Sequence, residues 1–583
     1  MSRLFPMNKH FRPFGRFSIL RAGFFCLCAA GLLILMACRT SARAAPDFYL
    51  TSSPETEGQG PPVCRVNAFK KGSRNYLFLP GFWYQKQMYA HWEGSAPQPL
   101  TIAAPKAEDS PFADPADTGG LAPDSATVVH LVNGSTTVNA LALYGGKIPC
   151  LFIQTENGTL RNLHRSKEAR ETGQLVMISA NGDTLYNGDL REIKTRGHKT
   201  FNYHKKPYQI KLENKTDLLG TGKARTWILL ADYLDISLLR NRITLDMARY
   251  AGMRYAVAAQ SVDLFIDGQY MGVYLLTDKV QIGPNRIDIH DMEPEMEFRN
   301  PKALTEYEPF QETLADGSRI GGYLLDQVPG DITGGYLLEI DKAYRIETEA
   351  KSFIVTASGI GLFVDAPAVA DKSQMRYLSN LINAFDRAIQ QSDGIDPVTR
   401  RHYADMMDEE SLALKFLLEE VSHNFDAADG SQYFYKDRFS VDPKLYAGPG
   451  WDYDLTYGNR VRTRPVGGYL TRSNAKYSWY SAAYKNHPIF RQKVEQLYLE
   501  RYRPALEILC GKREAPATGG IRSLTSYKEE IGPSAKMNFI RWSISSIRVY
   551  NTLMGRSFNG ATAALGKYLE QRIKGLDQVF GIQ

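Results

Sequence analysis

The 583-residue sequence predicts an α+β fold with two lobes, a β-rich portion followed by a helical one. Two patterns carry this expectation. Short apolar runs separated by turn residues fill about 127–357, and apolar residues at helical spacing dominate after 370. The length adds a third point: 583 residues exceed one core, so several domains are expected. The chain is 43% hydrophobic, 11% aromatic and 23% charged, which excludes a fibrous or mostly disordered protein.

Taken in order, residues 1–44 read as an export signal. A basic stretch precedes an apolar run over 22–37, and Ala42-Arg43-Ala44 offers a cleavage site. Cys38 offers a lipoprotein-like alternative. Seven basic residues and no acidic one lie in this segment. Without them the chain carries 63 residues of each sign, so the net charge of +7 belongs to the signal. A neutral mature chain has no electrostatic footprint for nucleic acid. Membrane contact is expected only through the signal or a lipid on Cys38, because no other run approaches the ~18 apolar residues of a span. The expected location is exported: periplasm, cell envelope or medium. Cys64 and Cys150 are placed for one disulfide outside the cytoplasm, or for two buried thiols.

Residues 45–190 are expected to form a β-rich N-terminal region. Pro97-Gln98-Pro99 and the stretch 105–124 read as loop. Strands are expected at 128–132, 150–154 and 173–179. Further on, 208–212 alternates like a half-buried strand, and 226–231 resembles another. Asp235 is placed to cap a helix over about 236–251, ended by Gly252. Two apolar runs, 262–266 and 270–276, flank Asp267-Gly268, a hairpin signal. The polar stretch 291–333 reads as an inserted loop, and 335–340 and 352–357 as strands. Leu378, Leu381, Ile382, Phe385 and Ile389 then share one helical face behind Ser373, a candidate cap. Helices are also expected over about 408–421, 488–509 and 565–580.

The chemistry concentrates in 422–459. An apolar helix ends before Asp426, and Asp452 and Asp454 come later, beside Gly450 and Pro449. That arrangement suits one carboxylate as base and two as ligands of a hard cation, which takes oxygen donors and phosphates. A basic cluster, Arg196, Lys205, Lys206 and Lys211, could meet phosphate or form a solvated face. No phosphate-binding P-loop is present, since Asp217 stands where Gly220-Thr221-Gly222-Lys223 needs an upstream glycine. His423 reads as structural.

Four ordered segments resemble the CotH family of spore-coat, kinase-like proteins. They are 194–212, with Arg196-Gly197 and Lys205-Lys206-Pro207-Tyr208; 218–248, with Leu238-Leu239-Arg240-Asn241; 267–279; and 424–454, with Asn424-Phe425-Asp426 and Trp451-Asp452-Tyr453-Asp454. The resemblance implies an atypical protein-kinase fold over 191–583, with an N-lobe of about 191–360 and a C-lobe of about 361–583. It implies phosphorylation of Ser/Thr, in a protein substrate or in the chain itself, with ATP and Mg²⁺ or Mn²⁺. Asp426 takes the place of the catalytic aspartate, and Asp452 and Asp454 the place of the metal-binding carboxylates. Ser431 stands where an Asn metal ligand is expected, with Gln432 as a substitute. Lys211 takes the place of the phosphate-neutralising strand lysine, with Asp246 as its acidic partner. Arg196 and Lys206 complete the nucleotide-binding set. His198 stands where the family has Asn. The alternatives are a non-catalytic surface or adhesion protein on the same scaffold, and a Ca²⁺-binding surface protein using Asp452 and Asp454.

Overall fold

The computed structural model describes residues 48–53, 63–92, 95–101, 126–133, 136–342, 345–346, 350–428, 430–473, 478–518, 520–548 and 555–582. The export signal and the stretch 105–124 lie outside these residues.

The N-terminal region is β-rich, as its sequence suggested. One sheet orders its strands β2-β1-β5-β6, from Phe48–Thr51 (β1), Val66–Asn67 (β2), Gln87–Trp92 (β5) and Gln98–Thr101 (β6). The other orders β3-β4-β8-β7, from Phe69–Lys71 (β3), Arg74–Leu79 (β4), Thr127–Asn133 (β7) and Thr136–Tyr144 (β8). Pro99, expected in a loop, pairs with Tyr89 in β6. The strand lies at the sheet edge, where a missing N–H breaks no ladder. Cys64 and Cys150 form no disulfide. Cys150 is a buried thiol between these sheets and the next layer, and its burial raises its pKa.

A closed seven-stranded barrel comes next, in the order β10-β11-β12-β13-β15-β14-β9. Its strands are Cys150–Thr155 (β9), Glu171–Ile178 (β10), Thr184–Thr195 (β11), Tyr208–Thr216 (β12), Ala224–Leu230 (β13), Ala259–Ile266 (β14) and Gln269–Asp278 (β15). Alternation fills the interior with Ile153, Leu175, Tyr208, Ile210, Leu212, Trp227 and Leu264. The β14–β15 hairpin turns where expected, with Asp267 at φ +51° and Gly268 at +76°, as a two-residue primed turn requires. Between β13 and β14, helix α1 (Arg240–Tyr250) starts later than expected, because Leu238 sits at φ +55°. Asp235 still caps it, accepting the N–H groups of Leu239 and Arg240 at 3.1 and 2.9 Å.

Residues 291–333 are not merely a loop. They hold the helix Glu293–Arg299 (α2) and the hairpin Glu308–Thr313 (β16) and Arg319–Leu324 (β17). That hairpin is the edge of a seven-stranded sheet ordered β16-β17-β19-β20-β18-β21-β22. The other strands are Tyr336–Asp341 (β18), Phe353–Val355 (β19), Gly361–Ala366 (β20), Gln432–Lys436 (β21) and Leu445–Ala447 (β22). The sheet thus draws strands from both sides of residue 360.

The C-terminal part is helical: Lys372–Gln390 (α3), Glu409–Ser422 (α4), Trp479–Asn486 (α5), Pro488–Leu497 (α6), Arg503–Leu509 (α7), Leu524–Arg541 (α8), Ile544–Arg548 (α9) and Phe558–Val579 (α10). Asp371, not Ser373, caps α3, in a reciprocal pair with Gln374. A π-helical turn, Tyr498–Tyr502, joins α6 to α7 just before Pro504, which cannot donate a helical hydrogen bond. Helix α8 lies on the β14–β15 hairpin, where Ser534 Oγ donates to Asp263 of β14 at 2.6 Å and Asn538 accepts the Val273 N–H of β15 at 3.2 Å. Among the described residues no helix is long and apolar enough to cross a membrane.

Candidate functional site

A cleft of about 490 Å³ opens where the turn after β11, the β13–α1 connection, the ends of β18 and β20, and the loops after α4 and β22 meet. Asp426, Ser431, Asp452, Asp454 and Arg196, far apart in sequence, all line it.

Asp426 sits just beyond the end of α4. His423 ends that helix at φ +51°, held by its Nδ1 against the Pro465 carbonyl at 2.9 Å and stacked on Tyr469. Burial lowers the His423 pKa to about 4, so the ring is neutral and structural, as expected. Asn424 donates to Glu419 at 2.7 Å and accepts the Asp426 N–H at 3.1 Å, which fixes the turn.

Asp452 occupies left-handed backbone at φ +67°, as do Ser431 at +52° and Asp232 at +45°, all three on the cleft. Such positions cost about 1–2 kcal/mol each in non-glycine residues and concentrate at functional sites. Asp452 is enclosed by protein yet open to the cleft water. Enclosure raises its pKa, and Arg196 opposes the rise. Asp454 is raised more, first by burial, then by Asp452, Asp232 and Asp235. No described donor forms a hydrogen bond or ion pair with either side-chain carboxylate. Crowded, unpaired carboxylates facing a cleft are relieved by a cation. The described residues contain no preformed cluster of three metal-ligating side chains. Two carboxylates still fit Mg²⁺, which completes its shell with water and phosphate oxygens.

The Leu238-Leu239-Arg240-Asn241 segment holds these carboxylates in place. Asn241 donates to Asp232 at 2.7 Å and accepts the Tyr453 N–H at 2.6 Å. Arg240 binds Asp235 and donates to the Thr456 carbonyl at 3.0 Å. Asn459 donates to the Leu234 and Asp454 carbonyls at 3.0 and 2.8 Å.

Arg196 lies just after β11, at a turn made by Gly197, φ +86°, where any Cβ would collide with Thr200 Oγ1. Its guanidinium lies 5.3 Å from the Trp451 ring centroid. Burial lowers its pKa, and Tyr433, Asp452 and Glu339 oppose the change. His198 lines the cleft beside it.

The other basic candidates lie elsewhere. Lys211 is on β12, between the inward-facing Ile210 and Leu212, so it faces away from the barrel interior, paired across to Glu192 and Thr226. Lys206 donates to the Phe201 carbonyl and stacks on that ring at 4.5 Å. Neither lines the cleft. Asp246 is not a partner of Lys211: it binds Arg242 at 2.6 Å and Tyr527 at 2.7 Å. Gln432 is no substitute ligand either. It is buried, accepting from Lys415 at 2.8 Å and Tyr480 at 3.2 Å.

Of the basic cluster, Lys205 joins Arg196 on the cleft, and sequence reasoning missed Asp232, Glu339 and Asp365 there. Lys205 donates to the Ala231 and Val273 carbonyls, and burial lowers its pKa to about 7. Asp232 is raised to about 7, chiefly by burial. Across the cleft Glu339 accepts from Tyr433 at 3.0 Å; burial and then Asp365 raise it to about 8. Asp232 was visible in the sequence as the residue before Tyr233 in the second matching segment. Glu339 and Asp365 come from two strands of a sheet and carried no local signal.

Among known proteins, the family model described as CotH kinase protein matches residues 193–576. No curated protein matches the chain.

Proposed function

Because the chain belongs to the CotH kinase protein family, we propose that it transfers the γ-phosphoryl group of ATP to Ser or Thr of a protein substrate or of itself, outside the cytoplasm. The barrel and the helical part serve in this reading as the two lobes of a kinase-like domain. The observation that carries it is the convergence of Asp426, Asp452, Asp454 and Arg196 on one cleft.

Phosphoryl transfer asks for placed charge rather than covalent help. Asp452 and Asp454 would hold Mg²⁺, which supplies positive charge to the phosphates. Arg196, propped on Trp451, neutralises further phosphate charge. Asp426 accepts the proton of the attacking hydroxyl, with its turn fixed by Asn424.

A non-catalytic envelope scaffold is the second reading, favoured by Ser431 where an amide ligand is expected. Thermal shift with Mg²⁺ and ATP separates the two. The kinase reading expects stabilisation by the pair together, lost in Asp452→Asn. No shift in the wild type, or an equal shift in the variant, supports the scaffold.

A further inference from the structure

Between 455 and 494 the chain carries eight Lys and Arg and no Asp or Glu. The head of this stretch, Arg460, Arg462 and Arg464, lies against the turn that presents Asp426. The Arg460 guanidinium stands 5.4 Å from the centroid of Phe425, the residue before Asp426. It is also close enough to Asp454 to oppose the rise in that group's pKa. Its Nε is buried with no hydrogen-bond partner. Arg462 and Arg464 are exposed, and neither makes an ion pair with a described carboxylate.

Hydrogen bonds anchor the backbone of the strip to its neighbours. Arg460 N–H donates to Thr463 Oγ1 at 3.1 Å. The Pro465 carbonyl accepts from Tyr568 at 2.9 Å, and Tyr469 OH donates to the Phe425 carbonyl at 3.0 Å. Glu420 accepts the N–H groups of Tyr469 and Thr471 at 2.7 and 3.2 Å. The guanidinium is a planar, pre-organised fork, so little freedom is lost per hydrogen bond formed with a carboxylate or phosphate.

We propose that Arg460, Arg462 and Arg464 form a docking strip for an acidic segment of the protein substrate, with Asp, Glu or phosphoserine within a few residues of the acceptor hydroxyl. Docking itself stands on the strip alone; only the transfer step after it rests on the phosphotransfer reading. The carboxylates of the cleft serve the metal and the hydroxyl; the basic strip lies outside the cleft lining, next to Phe425 in the turn of Asp426, and selects the chain that enters.

The test compares three Ser-containing peptides with acidic, neutral and basic flanks, on wild type and Arg462→Gln/Arg464→Gln. Both positions are exposed, so the variant reads docking rather than folding. The acidic peptide is expected to show the highest kcat/KM, chiefly through KM. Its advantage over the neutral peptide should fall about tenfold in the variant, the scale of one lost charge-assisted contact. Equal use of all three peptides, preference for the basic one, or an unchanged advantage in the variant overturns the proposal. Fluorescence anisotropy with an acidic peptide lacking any hydroxyl, without ATP, keeps docking separable from catalysis. Salt-sensitive binding weakened in the variant supports the strip even if no peptide is phosphorylated, an outcome that would sink only the kinase reading. Identical binding by both proteins, or binding to anionic vesicles with no peptide preference, overturns it.

Discussion

Asn241 is the side chain whose loss should reveal how the cleft is held. It is 4% exposed and joins two parts of the site, donating to Asp232 at 2.7 Å and accepting the Tyr453 N–H at 2.6 Å. Asn241→Ala orphans a buried carboxylate oxygen and a buried backbone donor. Each orphan costs about 1–3 kcal/mol, so the variant should lose about 3 kcal/mol in urea unfolding. Because Tyr453 lies between Asp452 and Asp454, Mg²⁺-dependent ATP binding should weaken about tenfold or more, which is about 1.4 kcal/mol. Asn241→Asp sharpens the test. It keeps an acceptor for Tyr453 and turns a carboxylate towards Asp232, whose pKa is already raised to about 7. Below that pH a proton separates the two oxygens; above it the charges repel. This variant should therefore be clearly less stable, relative to wild type, at about pH 8 than at about pH 5. Stability of Asn241→Ala within about 0.5 kcal/mol of wild type, with unchanged ATP affinity, would mean that Asn241 does not hold the cleft together.

Three further outcomes are expected from the same structure. Glu339 binds its proton more tightly folded than unfolded, so its contribution is full below its ordinary pKa of 4.5 and lost as pH rises through about 8. Glu339→Gln should flatten the fall in melting temperature across that window, and an unchanged slope would discount the group. Lys415 and Glu419 form a fully buried ion pair completed by Gln432 and Tyr453, so Lys415→Ala should cost about 3–5 kcal/mol in denaturant unfolding. A loss below about 1 kcal/mol would mean that water or repacking replaces the ammonium. Gly197→Ala forces a Cβ into left-handed backbone against Thr200 Oγ1, at a cost of about 1–2 kcal/mol, and should weaken ATP binding through Arg196. Unaltered melting and affinity would show that the turn adapts.

The legible parts of the fold were those set by local chemistry. Asp267-Gly268 announces its hairpin because few residues adopt positive φ in succession. Helix α3 shows its buried face by period alone, although the cap moved two residues to Asp371. Strand β16 was missed because Glu308, Pro309 and Thr313 are exposed at a sheet edge, which gives no apolar alternation. Helix α8 was hidden by Pro533 within it, and is retained by its packing against β15. The site divides the same way. The motif residues Asp426, Asp452, Asp454 and Arg196 reached one cleft, but the choice among lysines is a matter of register. Strand alternation turns Lys211 away from the barrel interior, while Lys205, buried before β12 begins, points its ammonium at carbonyls beside the cleft. Which outward residue of a barrel meets a partner sheet is decided by packing between elements far apart in sequence. That is also why Glu339 and Asp365 gave no sign.

Phosphotransfer at this cleft is best tested by incubating residues 45–583 with γ-labelled ATP and Mg²⁺ or Mn²⁺, beside Asp426→Ala and Asp452→Ala, with circular dichroism to confirm that all three are folded. A kinase built as proposed puts label on the wild-type chain, or on added protein through it, and none with either variant. Label on none of the three, or equal label on all, would contradict that assignment.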